Sequence, residues 1–283
     1  MMYQAGLVLE GGGNRAIYTS GVLDAFMDQG ITFPYVIGVS AGSCNAVSYI
    51  GKCRGRQHDI SIQYSGDKRF MSLENMIKNG EFLNGEWLFG ELSYDLSPLD
   101  QEAYDRANTT LCVVVTNALT GKAEYMEVPR RDEKFLLLQA TCALPLMFPI
   151  YHLDGKPYLD GGASDAIPFR RAFDQGCDRA IVILTKPRNF VRKAEKLQPL
   201  IERKYRQYPN FCQTMRERAE KYNADKEELF ELERQGKVLI FAPDSLHGVG
   251  RIEHNVEKLR LLWGEGYQHG VERMEELESF LGR

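Results

Sequence analysis

Apolar residues in this chain gather into short unbroken runs separated by longer stretches of helical period. Ala5-Gly6-Leu7-Val8-Leu9 has no polar alternation, the pattern of a strand buried on both faces. Gly11-Gly12-Gly13-Asn14-Arg15-Ala16 follows it at once. A helical pattern then runs from Ile17 to Gln29, with Val22, Leu23, Phe26 and Met27 on one face and Gly30 placed to cap it. Tyr35–Val39 is the next apolar run and Ala41–Ile50 the next helix. A β-α-β-α unit of this kind predicts a parallel sheet.

From Lys52 to Asn108 the pattern weakens into polar and aromatic residues, including Phe70-Met71, Phe82-Leu83, Trp87-Leu88-Phe89 and Tyr94. Short helices and loops forming a wall or lid are expected there. Leu111–Thr116 is a central strand, which Thr120-Gly121 turns into Ala123–Val128 as a hairpin. Asp132–Ala143 predicts a helix stopped by Pro145. Tyr158-Leu159-Asp160 is a short strand broken by Gly161-Gly162, Phe169–Asp174 a helix, and Arg179–Thr185 another strand. Glu195–Arg234 is charged and helical in period, with breaks at Pro199 and Pro209. Lys237–Ala242 gives a last strand and Ile252–Leu281 a terminal helical region. No linker-like stretch divides residues 1–283, so one elaborated domain is expected, with its motifs in 5–185 and helices over 190–283.

Composition narrows the function classes. A net charge of −4 supplies no field for nucleic acid. No apolar run approaches the roughly 20 residues of a membrane span, and Met1-Met2-Tyr3-Gln4 lacks the basic region of a signal peptide. Cys44, Cys53, Cys112, Cys142, Cys177 and Cys212 are scattered without a C-x-x-C pair. Free thiols, no metal site and a reducing cytoplasm are the expectation.

The candidate chemistry centres on Gly38-Val39-Ser40-Ala41-Gly42, a G-x-S-x-G elbow at the end of a predicted strand. In such a turn Ser40 is lifted to the top of a sheet, while side chains at Gly38 and Gly42 would strike neighbouring backbone. Gly11-Gly12-Gly13 opens a helix with backbone donors. Gly11, Gly13 and Ala16 also fit a dinucleotide pattern, but the acidic residue that pattern needs after the next strand is absent from Tyr35 to Asn45. The better reading is an oxyanion hole, where each aimed N–H is worth roughly 3–4 kcal/mol in acyl transfer. Arg15 would hold the loop or add positive charge.

A serine also needs a base. Asp160, at a strand end before Gly161-Gly162, is one candidate. The Ser…Asp…His order of α/β-hydrolases would instead recruit His247, in Asp244-Ser245-Leu246-His247-Gly248. A non-catalytic acyl-lipid-binding protein that keeps the pocket is a third reading. Contact with a membrane surface has two candidates, the aromatic stretch Phe82–Tyr94 and the basic run Lys186, Arg188, Arg192, Lys193 and Lys196, although the acids that follow make the latter read as solvated surface.

Taken in order, the glycine loop, Gly38–Gly42, Ala140-Thr141-Cys142-Ala143-Leu144-Pro145-Leu146-Met147-Phe148-Pro149 and Asp160-Gly161-Gly162 resemble the patatin-like phospholipase family over about residues 5–185. The resemblance implies a three-layer α/β/α fold around a mostly parallel sheet, here elaborated by C-terminal helices. It also implies a Ser40–Asp160 dyad without a catalytic histidine, an oxyanion hole at Gly11, Gly12 and Gly13, and no cofactor. The implied reaction is hydrolysis of an acyl-lipid ester through an acyl-serine. Ala16 departs from the family, which usually has glycine after the basic residue of the loop, and alanine does not easily take a positive φ.

Overall fold

A computed structural model of the protein describes residues 5–70, 75, 84–131 and 135–282. Its strands are β1 (Ala5–Leu9), β2 (Tyr35–Gly38), β3 (Thr110–Asn117), β4 (Ala123–Glu127), β5 (Tyr151–Leu153), β6 (Lys156–Asp160), β7 (Arg179–Ile183) and β8 (Val238–Phe241). They form one sheet whose pairings run β5-β6-β3-β2-β1-β7-β8, with β4 also paired to β3. The run β3-β2-β1-β7-β8 is parallel throughout, as the apolar strands require.

Alternate residues of these strands face two separate cores. Leu7, Leu9, Val36, Val113, Ile181, Ile183 and Phe241 pack with Val22, Leu23 and Phe26 of α1 (Ile17–Asp28) and with Leu259 and Leu262 of a long helix near the C-terminus (Val256–Glu272). Val8, Ile37, Val114, Val182 and Ile240 pack with Phe169 and Ala172 of the Phe169–Asp174 helix and with Tyr222 and Leu229 of the Pro209–Arg234 helix. The architecture is therefore the expected α/β/α sandwich. Every residue of α1 from Ile17 to Phe26 is buried, polar ones included, because the Val256–Glu272 helix covers its outer side. Gly21 and Gly266 let the two backbones touch there, since a Cβ on Gly266 would lie 2.2 Å from the Tyr18 carbonyl oxygen.

Numbered in chain order, the remaining helices are α2 (Ala41–Ile50), α3 (Arg56–Tyr64), α4 (Gly85–Phe89), α5 (Gln101–Arg106), α6 (Leu136–Thr141), α7 (Phe169–Asp174), α8 (Gln198–Lys204), α9 (Pro209–Arg234), α10 (Val256–Glu272) and α11 (Met274–Phe280). Two expectations shift. The Asp132–Ala143 helix is described only as α6, with residues 132–134 outside the described residues. Pro199 and Pro209 begin helices rather than break one, since a first-turn proline sacrifices no hydrogen bond. Of the aromatic insertion, Met71, Phe82 and Leu83 lie outside the described residues, whereas Trp87 and Leu92 form a small core with Ile60.

The topology also brings strand ends together. β4 pairs with residues 112–116 of β3, overlapping the stretches that β2 and β6 use, so β4 takes one edge and β2 and β6 share the other. Gly38 stands opposite Val113 and Asp160 opposite Val115. The C-terminal ends of β2 and β6 thus face each other, about 7 Å apart along that edge at strand rise.

Candidate active site

Ser40 sits where β2 turns into α2, with φ 53° and ψ −127°, a conformation L-residues rarely hold. A Cβ on Gly42 would lie 2.5 Å from the Leu9 carbonyl oxygen, and one on Gly38 2.7 Å from Ser43 Cα, so the elbow tolerates no side chain at either flank. The Ser40 N–H donates to Thr141 Oγ1 (3.0 Å), and that hydroxyl donates to the Val114 carbonyl (2.6 Å). The strained serine is held to the central strand through one threonine.

Asp160 is buried at the end of β6. Its N–H donates to the Ala143 carbonyl (2.9 Å) and its carbonyl accepts from Thr116 Oγ1 (2.8 Å). Oδ1 accepts the Gly162 N–H (2.7 Å), while Oδ2 is buried with no hydrogen bond of good geometry. Burial pushes the carboxyl above its ordinary value of 3.8, opposed by Ser40, by Arg218 and by the Gly162 N–H. Residues 140–143 therefore hold both partners, Thr141 gripping Ser40 and Ala143 gripping Asp160.

The glycine loop lies against the serine, for a Cβ on Gly11 would come 3.1 Å from Ser40 Cβ. The N–H groups of Gly11 and Gly12 have no acceptor among the described residues, and that of Gly13 is an orphan donor at the start of a 3-10 turn over Gly13–Ala16. Gly13 has φ +59°, and a Cβ there would lie 2.4 Å from the Arg251 carbonyl oxygen. Asn14 N–H donates to that same carbonyl (3.0 Å) and Arg15 Nε to the Val249 carbonyl (3.2 Å), tying the loop to the C-terminal region. Glu10, fully buried, accepts from Thr185 N–H (2.6 Å) and Oγ1 (3.0 Å) and pairs with the buried Lys186. Burial raises the Glu10 carboxyl, but Lys186 and Thr185 outweigh it and hold the carboxyl below its ordinary value.

Two cavities meet at Ser40. One, about 160 Å³, is walled chiefly by apolar side chains, among them Ile60, Phe70, Leu88, Phe89, Leu138 and Phe148. The other, about 180 Å³, is polar and is bounded by Gly11–Gly13, Asp160 and several basic side chains. Residues 7–173, which carry every one of these motifs, match the family described as patatin-like phospholipase.

The chain belongs to the patatin-like phospholipase family. Residues 208–282 match a second family, described as a domain of unknown function (DUF6363). An uncharacterized protein of Escherichia coli (strain K12), YjjU, is 32% identical over 195 residues, covering 64% of this chain and 52% of its own length. Lysophospholipase NTE1 of Yarrowia lipolytica is 27% identical over 187 residues, covering 60% of this chain and 12% of its own length. The chain thus spans about half of the first relative and a small part of the second. Among solved structures, VipD from Legionella pneumophila aligns with a TM-score of 0.48 at 15% identity, over 98% of this chain and 67% of that one.

At the one visible departure from the family pattern, Ala16 has φ −68° and is buried in the first turn leading to α1, so alanine fits without strain. No histidine bonds to Ser40 or Asp160 among the described residues. His247 Nε2 bonds Glu265 on α10 (2.6 Å), His269 bonds Tyr18, His58 packs at a tilt against the Trp263 ring, His254 bonds the Ser65 carbonyl, and His152 is exposed on β5. The basic run is not uniformly solvated surface: Lys186 is buried, and Arg192 lines the polar cavity, while Arg188 pairs with Glu233 near the surface.

Sequence reasoning passed over Glu10, Thr141 and Arg218 as site residues. Arg218 Nε donates to the Gly162 carbonyl (2.6 Å) beside Asp160. Its signal was present: on α9 the half-buried Arg218 stands at helical spacing between the buried Met215 and Tyr222, and an arginine at that spacing demands an explanation. The two cysteines Cys44 and Cys142, distant in sequence, have Sγ atoms 3.8 Å apart on the apolar cavity wall. No helix among the described residues is long and apolar enough to cross a membrane.

Proposed function

We propose that the protein hydrolyses carboxylic esters of acyl lipids through an acyl-Ser40 intermediate, with Asp160 as the base. The observation that carries this reading is the meeting of the β2 and β6 ends on one edge of β3, which brings Ser40, on the wall of the apolar cavity, close to the buried carboxylate of Asp160 on the wall of the polar one. The acyl chain lies in that cavity with its ester carbonyl at Ser40. The Ser40 hydroxyl attacks the carbonyl carbon as its proton passes to the Asp160 carboxylate. Negative charge on the carbonyl oxygen is met by the free N–H groups of Gly11, Gly12 and Gly13. Collapse breaks the ester bond, and the leaving alcohol takes the proton from Asp160. Water then attacks the acyl-serine with Asp160 again as base, releasing the fatty acid and restoring the serine. The raised carboxyl of Asp160 suits this task, since a stronger base accepts the hydroxyl proton more readily.

A fluorophosphonate probe tests the reading directly. Labelling of Ser40, weakened in Asp160→Asn and unchanged in His247→Ala, is the expected result. A probe that leaves Ser40 unmodified would favour a lipid-binding protein without catalysis, and loss of labelling in His247→Ala a histidine triad.

A further inference from the structure

We propose that the polar cavity is a head-group site for acyl lipids whose phosphate carries no compensating ammonium, and that the C-terminal half of the chain, including the region of unknown function, builds it. This deepens the hydrolase reading and rests on it. With the acyl chain in the apolar cavity and the ester at Ser40, the rest of the lipid lies in the second cavity, because Ser40 belongs to both walls.

That second cavity lies at a topological switch point. β1 leads into α1 on one face of the sheet, whereas the chain after β7 continues towards α9 on the other. The crevice between such strands, beyond their carboxyl ends, is where open α/β sheets bind their ligands. Here it is flanked by the Gly11–Gly13 donors and by Arg15, Arg192, Lys193, Arg218 and Arg251, against the carboxylates of Asp160 and Glu195. Among the described residues, Arg192, Arg218 and Arg251 have no carboxylate within ion-pair distance.

Arg192 is built in rather than left on the surface. Asn223 of α9 grips its backbone in both directions, accepting from its N–H (2.9 Å) and donating to its carbonyl (3.0 Å). Its guanidinium stands 4.3 Å from the ring centre of Tyr222, one residue earlier on the same helix. Its Nε is buried and has no hydrogen-bond partner. Arg218, four residues before Tyr222, is fixed by its bond to the Gly162 carbonyl and leaves its remaining donors for the cavity. Burial and the crowding of Arg192 push the Arg218 guanidinium down to about 9, against the pull of Asp160. Positive charge is in excess here and an anion relieves it. A phosphate is matched by forked guanidinium donors, whereas a choline or ethanolamine head would carry a cation into the same field.

Asn223, Tyr222, Arg218 and Arg251 all lie within residues 208–282. The selectivity of the site therefore comes from the region outside the patatin-like match.

The test compares dihexanoyl phosphatidate, dihexanoyl phosphatidylglycerol and dihexanoyl phosphatidylcholine below their micellar concentrations, so that no charged interface contributes. The expected result is a kcat/KM at least about tenfold higher for one or both anionic lipids than for phosphatidylcholine. Preference for phosphatidate alone assigns a phosphate monoester, and equal preference for both assigns any phosphate without an ammonium. In Arg192→Gln/Arg251→Gln the ratio of anionic to zwitterionic rates falls towards one. Equal wild-type rates on all three lipids, or an unchanged ratio in the double variant, overturn the proposal. A second measurement uses the wild-type protein alone: glycerol 3-phosphate slows fluorophosphonate labelling of Ser40, and glycerol does not. Equal effects of the two overturn the head-group site. Labelling of Ser40 with flat head-group preference sinks this inference and leaves the hydrolase reading standing, whereas absence of labelling sinks both.

Discussion

The two halves of this protein make their contributions to the site in opposite ways. Residues 7–173 supply groups that backbone geometry places: a strained elbow, a glycine loop with free donors and a carboxylate fixed at a strand end. Residues beyond 185 supply side-chain charge at a distance, with Arg192, Arg218 and Arg251 reaching the same cavity from separate segments. Backbone geometry demands particular small residues at fixed spacing and so leaves motifs. A guanidinium on a long flexible stem can arrive from many positions, so it leaves none. On the head-group proposal, the half without catalytic motifs would decide what the other half acts upon.

The largest effects are expected at the two residues proposed to carry the chemistry. Ser40→Ala and Asp160→Asn are each expected to lower kcat/KM on a short acyl ester by about 10⁴-fold or more, with the double variant little worse than either, because the pair acts as a unit. His247→Ala should stay within about twofold of wild type, its partner being Glu265. A steady-state assay on the four variants decides it.

Next in size is the buried pair that joins the halves. Glu10→Gln leaves Lys186 buried without its counter-charge, and urea unfolding should show a loss of about 3–5 kcal/mol. If unfolding shows no loss, Lys186 is not anchored as described. Thr141→Val comes below this. It removes the acceptor of the buried Ser40 N–H, and about 1–3 kcal/mol of stability should go with it. Activity should fall more than stability accounts for, since the elbow is no longer held to Val114.

The smallest effects test the strain at the elbow and the burial of the base. Ser40→Gly relieves the φ of 53° and should be more stable than Ser40→Ala by about 1 kcal/mol. For Asp160 the folded-state carboxyl is raised above its unfolded value. Its contribution is therefore fully present below the unfolded pKa of about 4 and is lost as pH rises through the folded one. Asp160→Asn should then melt higher than wild type at neutral pH, the difference shrinking as pH falls to 4. The same shift places the acid limb of kcat/KM above the ordinary aspartate range.

How far the sequence carries depends on what each residue answers to. The strands of the parallel sheet were legible as unbroken apolar runs, and α2 and α7 fall on Ala41–Ile50 and Phe169–Asp174 as their periodicity predicts. Ser40, the glycine loop and Asp160 were legible because backbone conformation or strand-end position restricts what can stand there. All of them fall within the residues 7–173 that match the patatin-like family. Tertiary structure alone decided the rest. It set β2 and β6 end to end on one edge of β3, so that residues 120 positions apart became neighbours. It buried Lys186 and turned Arg192 inward from a run that reads as solvated surface. It also covered α1 with α10, giving an apparently one-sided helix two buried sides. Local sequence encodes what a residue's own backbone must do, and charge placement and shared edges depend on the path of segments far away along the chain.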